Sequence, residues 1–263
     1  MPVPEFELIQ RYFQGKGQPQ KDVALGIGDD AALLNSPAGQ QLVIAIDTLV
    51  HGVHFPENTS PYDIGWKALA VNLSDLAAMG AEPAWFTLAL TLPESSESWL
   101  TEFSAGLFDL ANQYGLSLVG GDTTRGPLTV TVQIAGYVPT GQALLRSGAN
   151  HGDRIFVTGS LGDATLVLKM LADQLPESAQ DYPDLLQRLN LPQPCIKEGC
   201  AIRGIASCAI DISDGLLADL QHMLDASGTG AEIYLNQIPY SLQAQKLIES
   251  HTKIRNSLLT GGD

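Results

Sequence analysis

Aspartates close or interrupt the apolar runs of this chain, in Gly28-Asp29-Asp30, Ile46-Asp47-Thr48, Leu73-Ser74-Asp75-Leu76, Gly120-Gly121-Asp122-Thr123-Thr124 and Ile210-Asp211-Ile212-Ser213-Asp214-Gly215. An ionised carboxylate among apolar side chains is strongly destabilising unless a counter-charge sits beside it. Lys and Arg are nearly absent from these five segments, so any fold that buries them needs another cation. A hard divalent ion fits, because it takes oxygen ligands and couples carboxylates to phosphates. The pattern reads first as that of a magnesium and phosphate protein.

With 263 residues and 44% hydrophobic side chains, the chain has material for one large domain or two ordinary ones. A formal charge of -15 argues against a nucleic-acid surface and against anionic membranes, since both rest on clustered Lys and Arg. An anionic substrate stays compatible with this charge if bound cations neutralise the site locally. There is no apolar stretch of membrane-spanning length and no basic-then-apolar leader after Met1, so a cytoplasmic location is expected. Cys195, Cys200 and Cys208 lack zinc-type spacing and read as plain core or helix-face thiols.

Periodicity predicts a helix over 5–13, strands over 23–27 and 42–46 that deliver their acids at the exit, and a helix over 63–79 stopped by Gly80. That helix places Asn72 and Asp75 on one face. A strand over 85–92, a helix over 98–114 closed by Gly115, and strands over 116–119 and 128–138 follow, with an antiparallel pair across Gly126-Pro127. The irregular alternation favours α+β over a doubly wound fold. The polar joint Arg146-Ser147-Gly148-Ala149-Asn150-His151-Gly152-Asp153 separates two expected α+β domains, 1–139 and 149–263. The second should hold helices over 164–175, 197–206 and 216–226, with strands over 154–157, 209–212 and 232–235.

Each acid has a plainer reading beside the functional one. Asp29-Asp30 is also ordinary turn chemistry, Asp75 could turn toward water, and Asp214 could be an N-cap. Asp47 follows an apolar run, and Thr48 beside it could add an oxygen ligand. Gly120 and Gly121 would let backbone approach a phosphate beside Asp122. Asp211, Ser213 and Asp214 precede a helix opening whose amides and dipole favour anions. The loop Thr158-Gly159-Ser160-Leu161-Gly162-Asp163 has a phosphate-binding look but lacks the Gly-Lys-Ser/Thr of a P-loop. His51 and His54 lie three apart without an HExxH pattern, and the surrounding acids suit a hard cation better than zinc. Taken together, acids from both halves imply metal ions bridging polyphosphate, and hence nucleotide-dependent phosphoryl transfer.

The ordered set GIGDDAAL, DTLVHGVHF, KALAVNLSDLAAMGAEP, GGDTTRGP, RSGANHGD and IDISDGLLADL closely resembles the thiamine-monophosphate kinase family, in the superfamily of aminoimidazole ribonucleotide synthetase and selenophosphate synthetase. The resemblance spans essentially the whole chain. It implies transfer of the ATP γ-phosphoryl group to thiamine monophosphate, with Mg2+ (several ions) and ATP as co-substrate. It further implies that Asp30, Asp47, Asp75, Asp122, Asp211 and Asp214 bind magnesium, with Asp47, Asp75 and Asp122 acting in catalysis. Gly121, Asp122, Arg146 and Ser213 would hold the nucleotide, His54 the thiamine phosphate, and the first domain would pair with its twin in a homodimer. Two departures stand out: Ala45 and Ile46 replace the hydroxyl residues usual before the strand aspartate, and the family's GGDDYEL-like segment stops at Thr260-Gly261-Gly262-Asp263. The C-terminal domain is therefore expected to be incomplete. The alternatives are another ATP-dependent kinase or synthetase of the superfamily, and a non-catalytic MgATP-binding module.

Overall fold

A four-stranded sheet with two long helices on one face organises the first half of the chain. In the computed structural model, which describes residues 5–262, helix α1 (Glu5–Tyr12) precedes strands β1 (Val23–Leu25), β2 (Leu33–Leu34) and β3 (Gln40–Val50). Helix α2 (Pro61–Ala78), strand β4 (Glu82–Leu92), helix α3 (Glu97–Tyr114) and strands β5 (Ser117–Arg125) and β6 (Thr129–Pro139) complete it. The order is β3-β6-β4-β5, with β6 antiparallel to both neighbours and β4 parallel to β5 through the α3 crossover.

Local chemistry sets these boundaries. The Ser60 hydroxyl accepts the Asp63 N–H at 3.1 Å and Pro61 supplies the first helical turn of α2, while Gly80 at φ 65° ends it. Ser96 caps α3 in the same way and Gly115 at φ 68° closes it. The two helices cross closely because Gly65 and Gly106 lie at the contact; a Cβ on Gly106 would run into the Tyr62 carbonyl. Leu69, Leu73 and Leu76 of α2 and Leu100, Phe103 and Leu107 of α3 are fully buried against Phe86, Leu90, Val132 and Ile134 of the sheet. Each such side chain contributes about 1.5–3 kcal/mol of burial.

Three readings of the first half need correction. β3 pairs with β6 along Gln40–Val50, so Asp47 lies inside a strand instead of at its exit. The strand expected over 116–119 runs on through Gly120 to Thr124 as the outer length of β5, where pairing with β4 carries it through two glycines. The antiparallel pair across Gly126-Pro127 does not form, because β6 lies between β3 and β4. Its Val130, Val132 and Ile134 need cover that the polar, exposed end of β5 cannot give.

The second half holds helices α4 (Asp163–Leu171), α5 (Pro183–Asn190), α6 (Ile196–Ala201), α7 (Leu216–Ser227), α8 (Leu242–Ser250) and α9 (Arg255–Thr260). Leu166, Val167, Met170, Leu185, Leu189, Leu247 and Leu258 form its core. The strands expected over 154–157, 209–212 and 232–235 are not formed. A strand exists only through its neighbour, and these segments have no ladder; Ala209 N–H, for example, bonds singly to the Leu145 carbonyl at 2.9 Å. Phe156, 84% exposed, shows the consequence. The expected helices over 164–175 and 197–206 also stop early, at Leu171 and Ala201.

The halves are packed together through α2. Gly199 of α6 lies against the Ala77 carbonyl, Ile196 enters the first core, and Trp66 Nε1 donates to the Pro192 carbonyl at 2.9 Å. Tyr114 donates to the Pro194 carbonyl at 2.7 Å and Arg203 meets Glu82 at 3.0 Å. Asp263, the last residue of the glycine-rich terminal segment, lies outside the described residues.

Candidate active site

Strand alternation decides where Asp47 points. On β3 the side chains of Val43, Ala45 and Leu49 pack on the first core while Leu42, Ile44 and Ile46 are exposed, so the period of two turns Asp47 inward. Helix α2 brings Asp75 to meet it, on the turn flanked by fully buried Leu73 and Leu76. The two carboxyl groups share a hydrogen bond.

Burial pushes Asp75 up to about 7, and the charges of Asp211 and Asp47 add to the rise while the Arg146 guanidinium opposes it. Asp47 is also raised by desolvation, but its bond from Asp75 and the nearby His54 pull the other way. The two acids therefore titrate as a coupled pair, with burial raising both and their mutual bond raising Asp75 while lowering Asp47. Asp211, raised first by burial, is held by a bond from Ser74 and eased by Arg146. A strand, a helix and a loop of the second half thus bring three acids toward one place, with Arg146 as their counter-charge.

His54 is fixed by a reciprocal pair of bonds: its Nδ1 accepts the Val50 N–H at 3.0 Å and its own N–H donates to the Val50 carbonyl at 3.0 Å. A backbone N–H only donates, so Nδ1 must hold a lone pair and the proton of neutral His54 sits on Nε2. His54 can offer that N–H to a phosphate oxygen.

The remaining predicted residues are not drawn into this group. Asp30, Asp122 and Asp214 are exposed and form no side-chain bond to the trio; the Asp30 N–H caps Asp29 at 2.8 Å. Gly121 pairs with Leu88 in the sheet, and Ser213 is exposed beside Asp211. Sequence reading missed Ser74, whose neighbour Asp75 took the attention, and Asp219, which is only 4% exposed and accepts the Ser213 and Asp214 N–H groups at 3.0 and 3.1 Å. An acid one turn into α7 was the available signal. With those two amides occupied by a carboxylate, the start of α7 offers an anion less than its dipole suggested. Asp163, in the loop with a phosphate-binding look, is likewise buried and taken up by Ser160 at 2.9 Å and Ser241 at 2.6 Å.

Among the described residues no group of three or more His, Cys, Asp or Glu side chains is gathered tightly enough to hold a metal ion by itself. The donor chemistry still fits magnesium, which is usually bound by one or two carboxylates together with waters and substrate phosphates, not by an all-protein cage. The charges of Asp47 and Asp75, two acids raised by burial, mark a place where a cation would relieve repulsion.

Residues 28–138 match the AIR synthase related protein N-terminal domain, and residues 150–257 the corresponding C-terminal domain. The thiamine-monophosphate kinase of Escherichia coli (strain K12) is 52% identical over 260 residues, covering 98% of this chain and 80% of that protein. That of Bacillus subtilis (strain 168) is 38% identical over 267 residues, covering 98% and 81%. Among solved structures, thiamine-monophosphate kinase from Stenotrophomonas maltophilia K279a superimposes with a TM-score of 0.86 at 49% identity, over 92% of this chain and 78% of that one. AaThiL, complexed with AMPPCP and TMP, gives 0.79 at 33% identity, over 90% and 77%.

Proposed function

The chain belongs to the thiamine-monophosphate kinases among the AIR synthase related proteins, and from that premise we propose that it transfers the ATP γ-phosphoryl group to thiamine monophosphate, giving thiamine diphosphate and ADP. The observation that carries the reading is the convergence of Asp47 and Asp75 with Asp211, all three raised by burial, because perturbed acids of this kind cluster at functional sites.

The reaction needs no general base. A phosphate monoester has a second pKa of about 6, so the attacking oxygen is already largely deprotonated at neutral pH. That oxygen forms a bond to the γ-phosphorus while the bond to the β–γ bridging oxygen breaks, its electron pair leaving with ADP. The obstacle is bringing anions together. Magnesium, when bound, neutralises both phosphates and the charge spread over the transferring group.

In our reading Asp47, Asp75 and Asp211 hold that cation, Asp30, Asp122 and Asp214 complete the set once nucleotide is present, and Gly121, Ser213 and Arg146 contact the nucleotide. The charge of Arg146 already opposes the rise at Asp75 and Asp211, so this exposed guanidinium lies near enough to meet a nucleotide phosphate there. His54 Nε2 donates to the phosphate of thiamine monophosphate. The thiols of Cys195, Cys200 and Cys208 are free, in keeping with a cytoplasmic enzyme. A homodimer is part of the proposal. β3 is an edge strand whose outer face carries Leu42, Ile44 (52% exposed) and Ile46 (62%), an apolar row that a second copy would cover.

Incubating the purified chain with ATP, Mg2+ and thiamine monophosphate, and separating thiamine diphosphate by chromatography, tests the reading. Product that depends on both thiamine monophosphate and Mg2+ is expected; MgATP binding without product would turn the assignment toward a binding module.

A further inference from the structure

Asp219 is buried at 4% exposure one turn into α7, and its Oδ2 reaches back past the helix start to take the N–H groups of Ser213 (3.0 Å) and Asp214 (3.1 Å). The start of the helix also packs against the Thr260–Gly262 backbone, and Leu216 is buried there. Its N-cap is Gly215 at φ 103°, which has no side chain, and no side-chain cap bond is made there. Hydrogen bonds to an ionised acceptor are roughly twice as strong as neutral ones, and burial protects both from water.

We propose that Asp219 is a positioning residue for the kinase reaction, holding the Ser213–Asp214 backbone so that Asp211 and the Ser213 hydroxyl face the nucleotide from the second half of the chain. The inference rests on the function proposed above but acts through one loop. By consuming the two amides, Asp219 turns the segment from an anion-binding helix start into one that offers oxygens, from half-buried Asp211 and from exposed Ser213 and Asp214. Such a set suits the metal that accompanies a phosphate better than the phosphate itself. Asp219 touches neither substrate.

Residue-resolved amide exchange on the ligand-free protein reads the contact directly. The Ser213 and Asp214 amides should exchange at least about tenfold faster in Asp219→Ala, and about threefold faster in Asp219→Asn, which keeps an acceptor oxygen without the charge. Amides of α2 and β6 should not change, which separates a local effect from unfolding. Calorimetry with Mg2+ and AMPPCP should show affinity about tenfold weaker for Asp219→Ala and partly restored in Asp219→Asn, with KM rising for MgATP but not for thiamine monophosphate. Unchanged exchange at both amides in Asp219→Asn, or KM values for the two substrates rising together, would overturn the proposal. If the parent chain makes no thiamine diphosphate the functional reading fails, while the exchange and AMPPCP measurements still decide the role of Asp219.

Discussion

The two halves of the chain deliver acids to the same site by different means. In the first, a strand of period two and a helix locked under the sheet aim Asp47 and Asp75 at each other, and the backbone beneath them is hydrogen-bonded along its whole length. In the second, Asp211 sits in a segment with no ladder partner, held through the side chains of Ser74 and, by way of the loop, Asp219. The difference separates two kinds of precision. Sheet and helix geometry fixes the Asp47–Asp75 pair before anything binds, whereas a few side-chain bonds hold Asp211 and leave it room to adjust.

The largest effect should come from the rigid side. Asp47→Asn or Asp75→Asn is expected to lower thiamine diphosphate formation on the order of a thousandfold, about 4 kcal/mol of transition-state stabilisation, with circular dichroism unchanged. Ordinary turnover in either variant would take that residue out of the metal site. Next, Leu73→Ala, cutting a fully buried side chain under the sheet, should cost about 2–5 kcal/mol in urea unfolding, whereas Phe156→Ser in the unpaired segment should stay within about 0.5 kcal/mol. Comparable losses would erase the contrast between the halves.

A pH series in EDTA sharpens it further. Because burial pushes Asp75 up to about 7 from the ordinary carboxyl value of 3.8, the folded protein binds more protons than the unfolded one across that window, and stability falls as pH rises through it. Asp75→Asn should flatten the decline and melt higher than the parent at pH 8 without metal; a parent more stable at pH 8 than at pH 5 would contradict the burial of this acid. The smallest effect belongs to Ser74→Ala, which removes one bond to Asp211 and should weaken MgATP affinity by roughly three- to tenfold. An equal loss for thiamine monophosphate would place Ser74 elsewhere.

Much of the first half was legible because its signals are local. Helical spacing from 63 and from 98, with stops at Gly80 and Gly115, placed α2 and α3, while the caps at Ser60 and Ser96 and the alternation that runs past Ile46 to Leu49 went unread. Strand neighbours were not legible: nothing between Gly126 and Leu128 says that β6 will pair with β3 and β4 and leave β5 at the edge. The same limit explains 154–157, 209–212 and 232–235, whose β-like composition says nothing of a partner. In the site, Asp75 stood out as an acid in an apolar helix, while Ser74 and Asp219 act on other site residues, and side chains that work through a neighbour leave no pattern in the sequence.

The central proposal is that Asp47 and Asp75, both raised by burial, hold a magnesium ion between them. Calorimetry of Mg2+ and AMPPCP binding at pH 7, in buffers of different ionisation enthalpy, tests it, because a cation bound there displaces protons that the raised Asp75 carboxyl retains. The account predicts a heat that varies with the buffer, reporting proton release, and a loss of that variation in Asp75→Asn. A buffer-independent heat in the parent chain, or the same proton release in Asp75→Asn, would contradict it.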